Sequence, residues 1–381
     1  MTNSTGSRRP KRRPAIRLPR HLYLALAIPC ALNPGSSGLA ASVRAQVSQD
    51  SVVTTLRESP DCDCRIELTR VISLSDSLHA GLFAYSPLVM RDSRGFWYAT
   101  SNTDGLKQVG VFDQDGRLKK VIGGLGEGPG EFTFINHIVV GSADTLYVYD
   151  HARLRRSVFD PDHEFVRTDP IHAFMRQLVP LSSGHMIVSS TVMTADRAGW
   201  PLHHIGADGS VLQTFGADAS LEHSGIAMGG DGVLWVAPRN AYELATYSAA
   251  GARFEPTNRL YQRQVEWFQP WTERSPDGRP RPSIMQIAFG PEDPTLLWVE
   301  ISVADPEWAP RPPQRSSREL IDSLYDSILE VIDVKSGSVL ASRRFGPTLS
   351  GLTFQGLIPA LRIDDANNVW MDVFTPTLHR R

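Results

Sequence analysis

The chain has 381 residues, 41% hydrophobic and 21% charged, with 39 basic against 41 acidic side chains and a formal net charge of −2. This is enough apolar content to bury a core, which excludes a disordered chain. No apolar run reaches the roughly 18 residues of a membrane span, and there is neither a Gly-X-Y period nor a sustained heptad, so polytopic membrane and fibrous classes are excluded too.

Residues 1–20 carry seven basic side chains (Arg8, Arg9, Lys11, Arg12, Arg13, Arg17 and Arg20) and no acid. An apolar stretch from Leu22 to Leu32 follows, then a small-residue segment ending at Val43-Arg44-Ala45. Basic, apolar and small in that order is the pattern of a secretory signal, with cleavage expected after Ala45 and a secreted or periplasmic product. Eight of the 39 basic residues and none of the 41 acidic ones lie in 1–45, so the remainder has 31 against 41 and a net charge of −10. Such a surface disfavours nucleic acid, which needs a cationic face.

Residues 46–64 read as a linker to the folded domain. Cys62 and Cys64, in a CxC spacing, read as two thiols rather than as a disulfide, whose Cβ separation is demanding, or as half of a zinc site, for which no second pair exists. Arg65–Leu74 is a strand with no neighbour in sequence to pair with.

From there one unit recurs: an apolar strand, a polar turn with Gly, Asp or Asn, and a strand centred on a large residue. The copies are Leu88–Ala99, Ile138–Tyr149, a weaker Leu178–Ser189, Ile226–Ala237, Ile287–Ile301 and Leu361–Val373. Their centres are Trp97, Tyr147, Ile187, Trp235, Trp298 and Trp370, side chains whose matching positions suit packing between repeats. Five copies are followed by an outer hairpin: Val109–Leu118, Ser157–His163, His204–Gly209, Thr246–Gly251 and Leu329–Gly337. The sixth has none. The spacing therefore predicts an all-β, six-bladed β-propeller over 65–375, four strands to a blade. The N-terminal strand joins the last blade and closes the ring, which removes exposed edges. Residues 376–381 read as a tail.

Two steps between centres are long, and each contains a proline-rich insertion, at about 262–283 and 303–326. Ser316–Asp326 within the second reads as a short helix, with Leu320, Leu324 and Tyr325 on one face. Loops on a rigid ring commonly carry function. Trp267, Trp271, Arg274, Trp308 and Arg311 combine aromatics with arginines as binding hot spots do, and are the expected binding residues. The partner is a protein or a small extracellular ligand, and the protein is expected to be monomeric.

Gly123-Gly-Leu-Gly-Glu-Gly-Pro-Gly-Glu-Phe132 resembles the GxGEGPGEF-type segment of bacterial six-bladed β-propeller proteins related to the NHL-repeat group. The resemblance implies the same fold over roughly 65–375. It also implies a secreted or envelope protein without an assigned reaction, in a group that mainly binds macromolecules. Some other six-bladed propellers are lactonases or lyases with a metal in the central channel. Read from its residues, Gly126, Glu127, Gly128, Pro129, Gly130, Glu131 and Phe132 form a glycine-rich turn that lets two blades approach. The alternative is an anion nest. It matches neither GxGxxG nor a P-loop.

No catalytic constellation stands out. There is no Gly-x-Ser-x-Gly elbow, and His163-Glu164 lacks the second His of HExxH. His203-His204 reads as one packed and one surface histidine, because neighbours on a strand face opposite sides. Arg153, Arg155 and Arg156 read as a solvated basic loop. No cofactor is predicted. A divalent metal in the channel, held by residues such as Asp150, Asn240, Glu300 and Asp372, would make the chain a metal-dependent lactonase or lyase. Each of these four is equally placed to cap a turn.

Overall fold

The computed structural model describes residues 52–75, 83, 88–101, 107–171, 175–181, 184–189, 202–216, 225–251, 253–271, 273, 275–310, 324–346, 348–364 and 368–380. The expected signal segment, Arg274, Arg311 and most of the expected 316–326 helix lie outside them.

The fold is all-β, a six-bladed propeller. Blade 1 contains β3 (Val89–Arg91), β4 (Trp97–Ser101), β5 (Gln108–Phe112) and β6 (Leu118–Gly123). Blade 2 contains β7 (Ile135–Val140), β8 (Leu146–Asp150), β9 (Arg155–Phe159) and β10 (Phe165–Pro170). Blade 3 contains β11 (Gln177–Pro180), β12 (Met186–Ser189), β13 (Leu202–Ile205) and β14 (Val211–Phe215). Blade 4 contains β15 (Gly225–Met228), β16 (Val233–Ala237), β17 (Glu243–Ala250) and β18 (Arg253–Arg263). Blade 5 contains β19 (Ser283–Phe289), β20 (Leu296–Ala304), β21 (Tyr325–Asp333) and β22 (Ser338–Phe345). Within each, consecutive strands pair antiparallel.

The outer hairpins of blades 1, 2, 3 and 5 form because their turns carry the same chemistry; the blade 4 turn has Gly251 at a φ of +65° and no Asp. In blade 1, Asp113 Oδ1 accepts the amides of Asp115 and Arg117 at 3.0 and 2.9 Å, and Gly116 takes a φ of +78°. Asp160, Asp208 and Asp333 repeat the acceptor role in blades 2, 3 and 5. An Asp side chain that mimics a backbone acceptor nucleates each of these four reversals.

The ring closes as expected. Strand β2 (Cys64–Ser75) pairs antiparallel with β24 (Val369–Arg380), Ile66 opposite Leu378 and Leu74 opposite Met371, and β24 pairs with β23 (Ile358–Ile363). The sixth blade is thus a three-stranded sheet, β2-β24-β23, where four strands were expected. The expected tail at 376–381 is, as far as Arg380, part of β24.

The supposed linker is structured. Residues Val52–Glu58 form β1, which runs parallel to β18 (Val52 opposite Arg259) and then to β22 (Arg57 opposite Ser338). It thereby joins blades 4 and 5 into one nine-stranded sheet. It shows no alternation: Val52 and Val53 are exposed along with Thr55, Arg57 and Glu58, and only Leu56 is fully buried. Cys62 and Cys64 are disulfide-bonded, against expectation. The chain bends there, so their Cα atoms are 5.0 Å apart rather than the roughly 6.6 Å of an extended strand, within bonding reach. Tyr325 and Asp326, the end of the expected helix, begin strand β21.

Six apolar clusters fill the six junctions between blades. Tyr98, Ile122 and Phe132 meet Ile138 and Val148 between blades 1 and 2, and Tyr149 meets Val188 between 2 and 3. Ile187 meets Val236 between 3 and 4; Trp235 meets Ile287 and Val299 between 4 and 5. Trp298 meets Ile66 and Ile358 between 5 and 6, and Met371 meets Trp97 between 6 and 1. Trp97, Ile187, Trp235 and Trp298, with Tyr147 at the edge of its cluster, are therefore packing residues, whereas Trp370 is half-buried outside the clusters, stacked under Arg362 and hydrogen-bonded to Asp364. Since both faces of a blade are covered, alternation does not expose every second residue. His203 and His204 are both buried, and Arg156, expected in solvent, is fully buried against Asp169 at 3.0 Å.

Candidate functional site

Strand direction places the two insertions on the same side of the ring. The first connects β18 to β19 and the second connects β20 to β21, so both leave from the same end of blades 4 and 5. At that end a cavity of about 400 Å³ lies between the first insertion and the ends of β20 and β21, lined by Arg239, Trp271, Ser275, Gly278, Arg279, Pro280, Arg281, Ser283, Ser302 and Tyr325.

Its walls are held by backbone bonds. The Trp271 amide donates to Asn240 O at 3.1 Å, Asn240 Nδ2 donates to Trp271 O at 2.7 Å, and the indole N–H donates to Pro282 O at 2.7 Å. The indole is thus fixed in the first loop and tied to blade 4. The Ile284 amide donates to Arg239 O at 3.0 Å, which ties blade 4 to the start of β19. Ser275-Pro-Asp-Gly278 is a tight turn: Gly278 N donates to Ser275 O at 3.0 Å, and Asp277 Oδ1 accepts Ser275 Oγ and the Arg279 amide. Gly278 adopts a φ of +79°, a conformation that glycine tolerates at no steric cost. These bonds to Asp277, chiefly that from the Ser275 hydroxyl, hold its carboxyl below the usual range. Arg281 Nε is buried with no hydrogen-bond partner among the described residues.

Of the expected binding residues, Trp271 lines this cavity. Trp267 is 38% exposed beside it in sequence, because its neighbour Phe268 turns into the core between blades 4 and 5. Trp308 is half-buried, in a turn where its amide donates to Asp305 O at 3.1 Å, and does not line the cavity. Sequence reasoning missed Arg239, Arg279, Arg281 and Tyr325. Arg279 and Arg281 lay in plain view inside the first insertion; Arg239 follows β16 and is brought over only by blade adjacency.

The glycine-rich segment is a clasp between blades 1 and 2. Phe132 is fully buried, its amide donates to Gly124 O at 2.8 Å, and Gly126 N donates to Phe132 O at 3.1 Å. Glu131 Oε2 accepts the Gly128 amide at 2.8 Å, so the chain's own carboxylate occupies the concavity an anion would use. Arg155 donates to the carbonyls of Glu127 and Glu131 at 2.9 and 2.7 Å, and Arg153 pairs with Glu127.

The four channel-end residues each serve a local bond. Asp150 accepts the amides of Thr133 and Phe134 at 2.7 and 3.2 Å, and Asn240 holds Trp271. Glu300 accepts the Leu352 amide at 2.6 Å, and burial pushes its carboxyl up to about 7. Asp372 binds Ser73 and Arg362 at 2.5 and 2.8 Å; these bonds outweigh its burial and hold it below its ordinary value. Among the described residues, no group of three or more His, Cys, Asp or Glu is close enough to hold a metal ion.

A second cavity, about 630 Å³, opens where the inner strands of blades 1 and 5 turn outward, with Arg91, Trp97, Phe289, Phe354 and Leu357 in its wall. Phe354 packs against the junctions of blades 1–2, 2–3 and 3–4, which puts it at the centre of the ring. Gln355 holds the Arg91 backbone at both N and O.

Fold and sites together define an all-β propeller of six blades. Residues 96–224, which run from β4 of blade 1 to the end of blade 3, match the family model DUF5128, described as a 6-bladed beta-propeller. No curated protein matches the chain in sequence. Among solved structures, the chain resembles a candidate exported protein of Bacteroides fragilis, at 10% identity and a TM-score of 0.54, over 87% of this chain and 100% of that one. It also resembles a DUF4221-family member from Bacteroides vulgatus, at 11% identity and a TM-score of 0.53, over 83% and 99%. Virginiamycin B lyase from Staphylococcus aureus is more distant, at 10% identity and a TM-score of 0.43 over 81% and 99%, and no chemistry is inferred from it. At these identities the likeness is one of fold. No helix among the described residues is long and apolar enough to cross a membrane.

Proposed function

We propose that the protein is an extracytoplasmic binding module whose recognition site is the cavity between the first insertion and the strand ends of blade 5. The observation that carries this reading is that cavity itself: about 400 Å³, walled by a fixed indole, a tyrosine and three arginines, on a ring whose blades are packed against one another. Binding pockets of small molecules have this size and this mixture of aromatic surface with a few convergent polar groups. Export is supported by the basic, apolar and small order of residues 1–45, and by a structurally similar protein described as a candidate for export. The Gly123–Phe132 clasp supports kinship with NHL-type propellers.

The test is a thermal-shift screen of small molecules against the purified protein and two variants. Ligands that raise the melting temperature of the wild type should fail to do so for Trp271→Ala and should still do so for Phe165→Ala, an exposed change on blade 2. If stabilising ligands act equally on wild type and Trp271→Ala, the site lies elsewhere. Intact-mass analysis of the exported protein should place its N-terminus at Gln46.

A further inference from the structure

We infer that this cavity takes a small organic anion, a carboxylate or phosphate ester attached to a flat body, with Arg239, Arg279 and Arg281 holding the anionic oxygens and Trp271 and Tyr325 bounding the body. The inference rests on the cavity being the recognition site.

The first support is the sign of the lining. Of its ten described lining residues three are arginines and none is an acid, on a chain whose residues 46–381 carry a net charge of −10. The cationic wall is therefore a local inversion of the protein's own charge. The adjacent acid, Asp277, is fully exposed, belongs to the turn that shapes the loop, and does not line the cavity. No ion pair joins Arg239, Arg279 or Arg281 to a described carboxylate, whereas Arg156, Arg263, Arg344 and Arg362 each have one.

The second support is Arg281. Its Nε is buried without a hydrogen-bond partner among the described residues. A buried donor of a charged group left unmade is costly, and the same side chain lines the cavity, where an anionic oxygen supplies the counter-charge that no described carboxylate gives it. A guanidinium offers two parallel donors that match a carboxylate or phosphoryl group.

The third support is the aromatic wall. Trp271 is fixed by three hydrogen bonds to Asn240 and Pro282, so its ring needs little ordering on binding. An ion without a body would leave that surface unused, which favours an organic acid over inorganic phosphate.

The experiment titrates the purified protein by calorimetry with phenyl phosphate, benzoate, inorganic phosphate and benzyl alcohol, at low and at physiological salt. Phenyl phosphate or benzoate should saturate, inorganic phosphate should bind more weakly, and benzyl alcohol should give no binding. Which of the first two binds more tightly separates a phosphate ester from a carboxylate. Arg281→Gln should raise the Kd at least about tenfold. Arg279→Gln, an exposed change that leaves the buried packing alone, should weaken binding in the same direction. Absence of saturation by either organic anion, or an unchanged Kd in both variants, overturns the inference. If the anions fail while neutral ligands still depend on Trp271, the anionic class is wrong and the site reading survives. If no ligand depends on Trp271, the site reading falls as well.

Discussion

Tyr242 and Glu330 meet across the junction of blades 4 and 5, the tyrosine hydroxyl donating a 2.6 Å hydrogen bond to Glu330 Oε2. Arg263 Nη2 lies 3.4 Å from the other oxygen of Glu330 and 3.1 Å from Glu58 Oε1 on β1. Burial, reinforced by Glu330, pushes the Tyr242 hydroxyl well above its ordinary range and keeps it a donor. Removing the cation leaves a buried carboxylate without its counter-charge. Arg263→Met should therefore cost about 3–5 kcal/mol, and Tyr242→Phe about 1–3 kcal/mol. Urea unfolding measures both; an Arg263→Met protein as stable as wild type would show that the cluster does not lock the junction.

Strand β1 bridges two outer edges, and Leu56 inserts into the core between those blades. A chain that begins at residue 60 should keep the far-ultraviolet spectrum of the ring, lower its melting temperature, and aggregate more readily through the exposed edges of β18 and β22. Unchanged melting and solubility would show that the bridge is dispensable.

The clasp contains its own control. A methyl group on Gly123 would sit 2.3 Å from the buried Phe132 ring, and φ there is +83°; one on Gly124 would meet nothing within 4 Å. Gly123→Ala should cost more than about 1 kcal/mol and Gly124→Ala should be nearly neutral. Equal effects in chemical denaturation would refute the clasp geometry.

Glu300 and His137 make stability depend on pH in opposite ways. The Glu300 carboxyl ionises at 4.5 when unfolded and at about 7 when folded, chiefly through burial. Its contribution is present below the lower value and is lost as pH rises to about 7. Glu300→Gln should gain on the wild type in melting temperature between pH 5 and 8. His137 is held down to about 4 by burial, against a hydrogen bond to Met175 O that raises it, and the adjacent buried His151 to about 3. The contribution of His137 is present above its unfolded value of 6.5 and is lost as pH falls towards 4. The wild type's advantage over His137→Gln should shrink on acidification. A difference that is flat with pH in either pair removes that group from the balance.

The recurrence of large strand-centre residues, the Asp–Gly turns and the unpaired strand at Arg65–Leu74 determined the number of blades and the closure of the ring. Those are properties of local pattern: alternation and turn chemistry act over a few residues, and a strand must find a partner. The same local view placed the insertions and selected Trp271. It could not recognise β1, whose pairing is parallel and joins residues some 200 positions apart in sequence. It could not foresee that Arg156, His203 and His204 are buried, because burial depends on a neighbouring blade covering the second face. Nor could it bring Arg239 to Arg279 and Arg281. That meeting is a matter of which blade ends stand side by side around the ring, and only the closed tertiary structure decides it.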